Sequence, residues 1–237
     1  MKLDLEAHAD ASMTIRDRVD RLRVEVAAVA RDCGRAEPAL LAVSKRHLRA
    51  SLDGAYACGL RSFGESYAQE AAEKFAGFPR DAERHFIGHV QSNKAKLIAE
   101  TFDVVQSVDR LSVGTALAAA ARALGKRLRV LVQINISPSE RFGIAPADAP
   151  ALADALRADG LDVAGTMAIG PNTADTALVR AAFESAAATH ARIGGAVLSL
   201  GMSDDWRIAI ASGSTMIRIG TAIFGPRPIA AKGGAAI

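Results

Sequence analysis

LLAVS, residues Leu40–Ser44, is a five-residue run that is apolar up to its closing serine and is followed at once by Lys45. Five residues are too few for a stable helix, and no polar residue alternates within the run. It reads as a strand covered on both faces, the kind found in a parallel sheet. Pro38 stands just before it and a polar segment follows it.

Working outward, the same signal recurs. Strand-like runs are read at Ser62–Glu65, His85–Gly88, Val104–Val108, Val130–Asn135, Val163–Ile169, Val197–Leu200 and Met216–Phe224, which with the first makes eight. Helix-like segments separate them. Val113, Leu117, Ala120 and Leu124 form one apolar stripe, and Val179, Ala182, Phe183 and Ala186 form another. The segments after Arg46, Ser66, Gln91, Pro146 and Ser203 are Ala-rich and polar, as surface helices are. Strands that alternate with helices predict a parallel sheet, and eight such units in 237 residues predict a closed (β/α)8 barrel, the TIM barrel. A doubly wound sheet is the competitor, but no GxGxxG follows the first strand.

Upstream of the first strand, Ile15, Val19, Leu22, Val26 and Val29 share one helix face, and Gly34 is placed to stop that helix. We therefore expect one domain over residues 1–237, with residues 1–35 as an extra N-terminal helix and 228–237 as a flexible tail.

Composition narrows the function classes. Half of the residues are apolar, enough for a real core, and 23% are charged, which excludes a wholly disordered chain. The net charge of +3 is a weak field that does not call for nucleic acid or a membrane surface. Acidic residues interleave with the arginines of the first helix, as on a solvated face. The N-terminus MKLDLEAHAD lacks the basic and apolar regions of a signal peptide, and no apolar run reaches the length of a membrane span. The two cysteines, Cys33 and Cys58, have no disulfide-framework or zinc spacing and suit a reduced, cytoplasmic protein.

Barrel chemistry sits at the C-terminal ends of the strands. Lys45 stands at the end of the first. Desolvation at such a rim favours the neutral amine, which attacks carbonyls to form a Schiff base; a solvated lysine opening the next helix is the plainer alternative. FGESY, Phe63–Tyr67, brings Glu65 and Ser66 to the second strand end, where Ser66 can face a ligand or cap a helix. HFIGHVQSNK, His85–Lys94, carries two histidines, two amides, a serine and a lysine. His85 and His89 are four apart but lie on a strand and its exit, so polar ligand contacts fit better than a metal. Met167, near the sixth strand end, is core or contact.

The last two strand ends are the most informative. LGMSDDW places Ser203 at a helix start. MIRIGTAIFG puts Arg218 within an apolar strand, where a guanidinium needs a specific acceptor. Gly220 and Thr221 follow with backbone N–H groups and a hydroxyl. Phosphate sites in these barrels are frequently built after strands seven and eight. An amine at strand one and a phosphate cradle at strands seven and eight suit a ligand with an aldehyde and a phosphate. Pyridoxal 5′-phosphate has both, and a class I aldolase fits the same bare chemistry.

AVSK, FGESY, HFIGHVQSNKAK, GTMAIG, LSLGMSDDW and IASGSTMIRIGTAIFG, met in this order between Leu40 and Arg227, resemble the YggS/PROSC family of pyridoxal phosphate homeostasis proteins. The resemblance implies a barrel similar to the N-terminal domain of alanine racemase, with pyridoxal phosphate held as a Schiff base on Lys45. It implies phosphate contacts at Ser203, Gly220 and Thr221, with Ser214 as a further candidate. It implies that Arg218 stands beside the pyridine nitrogen and that Ser66 and His89 belong to pocket motifs. The sequence departs from the family at Ser66, where Asn is usual, at Arg46-His47-Leu48 after the lysine, and in the atypical loop ISPSERFG.

A charged guanidinium at the pyridine nitrogen keeps the ring unprotonated and makes it a weaker electron sink. Racemisation also needs an acid/base on each face of the α-carbon. The only tyrosines, Tyr56 and Tyr67, lie in or at the start of helix-like segments, so neither is an obvious second base. The expectation is a cofactor carrier without robust turnover, and a small pyridoxal-phosphate-dependent racemase or lyase is the alternative. Expected partners are pyridoxal phosphate and the apo-enzymes that would accept it. We expect a monomer or weak homodimer.

Overall fold

A computed structural model describes residues 13–137 and 142–226. The tail expected at 228–237 and part of the loop ISPSERFG lie outside the described residues. Eight parallel strands, β1 Ala39–Val43, β2 Ser62–Glu65, β3 Glu83–Phe86, β4 Val104–Val108, β5 Arg129–Ile134, β6 Asp162–Ala168, β7 Val197–Ser199 and β8 Met216–Ile219, form a closed barrel in sequence order. Closure is direct: β1 pairs with β2 on one side and with β8 on the other, Leu41 standing opposite both Ser62 and Arg218.

The helices among the described residues are α1 Ile15–Asp32, α2 Arg49–Ala57, α3 Ala68–Phe75, α4 Ala95–Thr101, α5 Leu111–Ala123, α6 Ala149–Ala158, α7 Thr176–Ile193, α8 Trp206–Ala211 and α9 Thr221–Phe224, with a 3-10 turn at Ser92–Lys94. The stripe read in α1 buries Val19, Leu22 and Val26. Thr14 caps this helix, its hydroxyl accepting from the Asp17 N–H while the Asp17 carboxylate accepts from the Thr14 N–H. Because α9 is only one turn long, the outer position after β8 is filled by α1, which packs on α2, α8 and α9.

Two elements differ from the sequence reading by more than one residue at an end. The eighth strand, expected to run to Phe224, ends at Ile219. The chain leaves the sheet at Gly220, and TAIF closes a helical turn in which Ile223 and Phe224 donate to the Gly220 carbonyl. A short apolar run does not by itself distinguish strand from helix. The third strand runs Glu83–Phe86 rather than His85–Gly88, because Glu83 and Arg84, which look like loop residues, pair with Ser62 and Phe63.

Strand alternation sorts the core into two layers. Ala42, Phe63, Phe86, Val105, Val132, Ile217 and Ile219 belong to the apolar cluster between the barrel and its helices. Leu41, Val43, Val104, Leu131, Met167 and Met216 are also buried but stand apart from that cluster, on the inward faces. The same inward rows carry polar residues: His85, Gln106, Gln133, Ser199 and Arg218, all buried. The interior is thus apolar on the side of β1 and partly polar between β3 and β8.

Candidate functional site

Lys45 follows Leu41 and Val43 on the inward row of β1 and emerges where the strand ends. There it lines a pocket with Val43, His47, Ile87, Met202, Ser203, Arg218, Gly220 and Thr221. Five residues read from the sequence therefore meet in one place: Lys45, Ser203, Arg218, Gly220 and Thr221.

The turn that carries Lys45 is held from outside the barrel. Arg46 adopts φ 64°, a left-handed conformation that side chains rarely take. Its N–H donates to Glu70 Oε1 at 2.7 Å. Lys74 Nζ donates to the Ser44 carbonyl at 2.8 Å and pairs with Glu70 at 2.8 Å and Glu65 at 2.5 Å. The Ser44 hydroxyl donates to Glu65 Oε1 at 2.8 Å. Residues on both sides of Lys45 are thus tied to α3 and to the end of β2. Burial pushes the Glu65 carboxyl up, and the hydrogen bond and charge of Lys74 and the Ser44 hydroxyl oppose that shift.

Arg218 is 4% exposed. Its Nη1 donates to the Ser199 carbonyl at 2.7 Å and to the Ser199 hydroxyl at 2.8 Å, and its Nη2 donates to the Ala168 carbonyl at 2.8 Å. A guanidinium has five N–H donors. These three bonds clamp the guanidinium against β6 and β7 and leave two of its N–H donors uncommitted, and Arg218 also lines the pocket. Burial pushes its pKa down to about 10, with the Asp205 charge opposing the shift, so it remains a cation at neutral pH.

Gly220 and Thr221 open α9, whose first N–H groups have no partner within the helix. A Cβ on Gly220 would stand 3.3 Å from the Val43 carbonyl oxygen, a tight approach at the pocket wall. Ser203 lies on the turn before α8. It does not cap that helix: the capping position is Asp205, whose carboxylate accepts from the Met202 N–H at 2.6 Å.

Four predicted site residues are placed elsewhere. Ser66 and His89 line an adjoining cleft with Tyr67, Phe86, Gln91 and Lys94, and the His89 ring stacks on Phe142 at 3.9 Å between centroids. The sequence allows Ser66 to cap a helix, but α3 starts at Ala68 with no side-chain cap. The Ser214 hydroxyl is committed to backbone, lying 3.0 to 3.2 Å from the carbonyls of Leu198, Leu200 and Met216. Met167 is buried inside the barrel opposite Ser199. His85 points inward while His89 is exposed, so the two histidines do not converge, and no group of three metal-ligating side chains occurs among the described residues.

His47 was missed. It is buried, lines the pocket and packs its ring on Phe224 at 5.0 Å. Its position two after the strand-end lysine is the signal that was available. Neither tyrosine lines this pocket. The Tyr56 hydroxyl donates to Asp81 at 2.7 Å on the outer layer, and Tyr67 is half exposed beside Arg46.

The chain matches the family described as alanine racemase, N-terminal domain, over residues 18–228. It is 42% identical over 224 residues to the pyridoxal phosphate homeostasis protein of Pseudomonas aeruginosa, covering 90% of this chain and 96% of that protein. It is 41% identical over 227 residues to the protein of the same name from Escherichia coli K12, with 90% and 96% covered. Among solved structures it resembles PipY of Synechococcus elongatus PCC7942 with PLP bound, at TM-score 0.79 and 34% identity over 90% of this chain and all of that one. A family match over most of its length and relatives at about 40% identity agree: the chain belongs to the alanine racemase N-terminal domain family, among the pyridoxal phosphate homeostasis proteins.

Proposed function

We propose that this chain binds pyridoxal 5′-phosphate in the pocket at the C-terminal ends of its strands, as a Schiff base on Lys45, and serves intracellular homeostasis of the cofactor rather than robust turnover. The observation that carries this reading is the meeting in one pocket of Lys45, a clamped cationic Arg218 and the Ser203–Gly220–Thr221 cradle. PipY has been seen with PLP bound, and the relatives' names speak of the same cofactor.

The residues fit the group. When bound, pyridoxal phosphate supplies an aldehyde for an amine and a ring that withdraws electrons. Lys45 supplies the amine from a turn fixed on both sides. Ser203 and Thr221 supply hydroxyls, and the head of α9 supplies N–H groups, for the phosphate. Arg218 would donate to the ring nitrogen and, as a standing cation, would give it no proton. That weakens the ring as an electron sink and disfavours carbanion chemistry.

Retention without turnover is supported by the tyrosines, both of which lie outside the pocket, so neither supplies a second base beside the reacting carbon. Apo-enzymes that need the cofactor are the proposed acceptors. The two free cysteines suit a reducing, cytoplasmic setting. No helix among the described residues is long and apolar enough to cross a membrane. A racemase or lyase is the second reading, and the observation in its favour is His47, a titratable ring on the same pocket wall.

Absorption spectra of wild type and Lys45→Ala, with added pyridoxal phosphate, test the binding. A visible band that borohydride abolishes, present only in wild type, supports it, and its absence in wild type overturns it. A panel of amino acids then separates carrier from enzyme: sustained product formation, lost in His47→Ala, would favour the second reading.

A further inference from the structure

Below the pocket, polar side chains on strands from β3 to β8 are joined end to end across the barrel. Arg218 Nη1 donates to the Ser199 hydroxyl at 2.8 Å, and Ser199 donates to Gln106 Oε1 at 2.8 Å. Gln106 Nε2 lies 3.0 Å from His85 Nδ1 and 3.2 Å from Met216 Sδ. His85 Nε2 lies 2.8 Å from Glu83 Oε2, and Glu83 Oε1 accepts from Arg129 at 2.6 Å. Arg218, Ser199, Gln106 and His85 are all buried, whereas Glu83 and Arg129 stand half exposed at the opposite mouth of the barrel.

The chain runs in one direction. A guanidinium only donates, so Ser199 accepts from Arg218 and its own proton goes to the Gln106 carbonyl oxygen. That turns the Gln106 amide nitrogen toward His85, whose Nδ1 must accept. The ring proton is then on Nε2 and is donated to the Glu83 carboxylate, which Arg129 holds from the other side. Reversing any one group sets donor against donor or acceptor against acceptor.

Layers inside such barrels are ordinarily filled by branched apolar residues. Here a row of polar groups converges instead on one guanidinium. Both Nη1 protons of Arg218 end on Ser199, at its carbonyl and its hydroxyl. The hydroxyl can accept there only because Gln106 takes its proton, and Gln106 is turned that way by His85.

We propose that His85, Gln106 and Ser199 are positioning residues that fix the guanidinium plane of Arg218 so that its remaining N–H groups meet the ring nitrogen of bound pyridoxal phosphate. The inference rests on the cofactor reading given above. None of the three touches the cofactor; they act through Arg218.

The test uses the full chain with Ser199→Ala, Gln106→Met and Ser199→Thr. Gln106→Met keeps the volume and removes both links. Ser199→Ala frees Nη1 from one acceptor, and Ser199→Thr keeps the hydroxyl. Pyridoxal phosphate is titrated by its visible band. Ser199→Ala and Gln106→Met are expected to retain a borohydride-sensitive band on Lys45, displaced in wavelength, with Kd raised about tenfold, while Ser199→Thr restores position and affinity. If both disrupted variants give the wild-type band and Kd, the positioning role is overturned while cofactor binding stands. If wild type binds no pyridoxal phosphate, the cofactor reading falls and this one with it. A second measurement needs neither variant nor cofactor. Long-range nitrogen NMR of the unliganded wild type is expected to show His85 protonated on Nε2 alone, and a proton on Nδ1 overturns the proposal.

Discussion

Lys74 Nζ lies 2.5 Å from the Glu65 carboxylate, and both side chains are sealed between β2 and α3, 9% and 0% exposed. The pair stands outside the barrel wall, yet through the Ser44 carbonyl and hydroxyl it holds the strand end from which Lys45 projects. Removing one member of a buried pair strands the other charge and costs about 3–5 kcal/mol. Lys74→Met is therefore expected to lower the free energy of unfolding by about that much in urea, whereas Glu65→Leu with Lys74→Met recovers most of it. A loss below about 1 kcal/mol in the single variant would show that the pair does not anchor this corner.

The phosphate cradle is separable from the lysine. Thr221→Val removes a hydroxyl and keeps the shape. Losing one such hydrogen bond, about 1–1.5 kcal/mol, corresponds to roughly a tenfold rise in Kd. That rise is expected for pyridoxal phosphate and not for pyridoxal, which has no phosphate. Equal weakening of both in side-by-side titrations would move the phosphate away from α9.

Gly88 marks where two loops touch. A Cβ there would lie 2.1 Å from the Ser66 carbonyl oxygen and 2.8 Å from its carbon, both backbone atoms that cannot rotate away. Gly88→Ala is expected to destabilise the fold by about 1–3 kcal/mol through overpacking. Thermal unfolding measures this, and an unchanged Tm would mean that the loops separate freely.

The hydrogen bond that His85 donates holds the Glu83 carboxyl below its ordinary value, and the Arg129 charge acts the same way against partial burial. A carboxyl depressed in the folded state binds its proton more readily when unfolded. Its stabilisation is present above the ordinary carboxylate range and is lost as pH falls through the folded value. Glu83→Gln should therefore lower Tm at neutral pH, and the difference from wild type should shrink away as pH falls below the ordinary carboxylate range. A Tm difference that is flat with pH would contradict this assignment.

The meeting of Lys45, Arg218, Gly220 and Thr221 at the strand ends was legible because strand ends and lone charges in apolar runs are visible without coordinates. Ser66 and His89 stand in motifs adjacent in sequence to the pocket residues but line another cleft, because which cleft a loop residue enters is set by tertiary packing. The extension of β8 through TAIF failed because apolar content is the same in a strand and in a one-turn helix. The polar interior was the largest omission. Gln106 and Ser199 occupy ordinary strand positions, and only barrel closure sets them 2.8 Å apart. A weak signal existed in VVQSV, where Gln106 stands two residues after inward-facing Val104.

The one-way row of hydrogen bonds across the barrel bears on how the chain assembles. Ser199 meets Gln106 across 93 positions of sequence, and Arg218 meets Ala168 across 50. A nascent chain carrying only the first four strands leaves Gln106 in a half-built sheet, without the hydroxyl that it will bind. Contacts this distant slow folding, because loop closure must precede their reward. The same requirement penalises misaligned closure: a one-residue slip of β8 would turn Arg218 out among the apolar helices. The interior that orients the guanidinium thus also proofreads the last joint of the barrel.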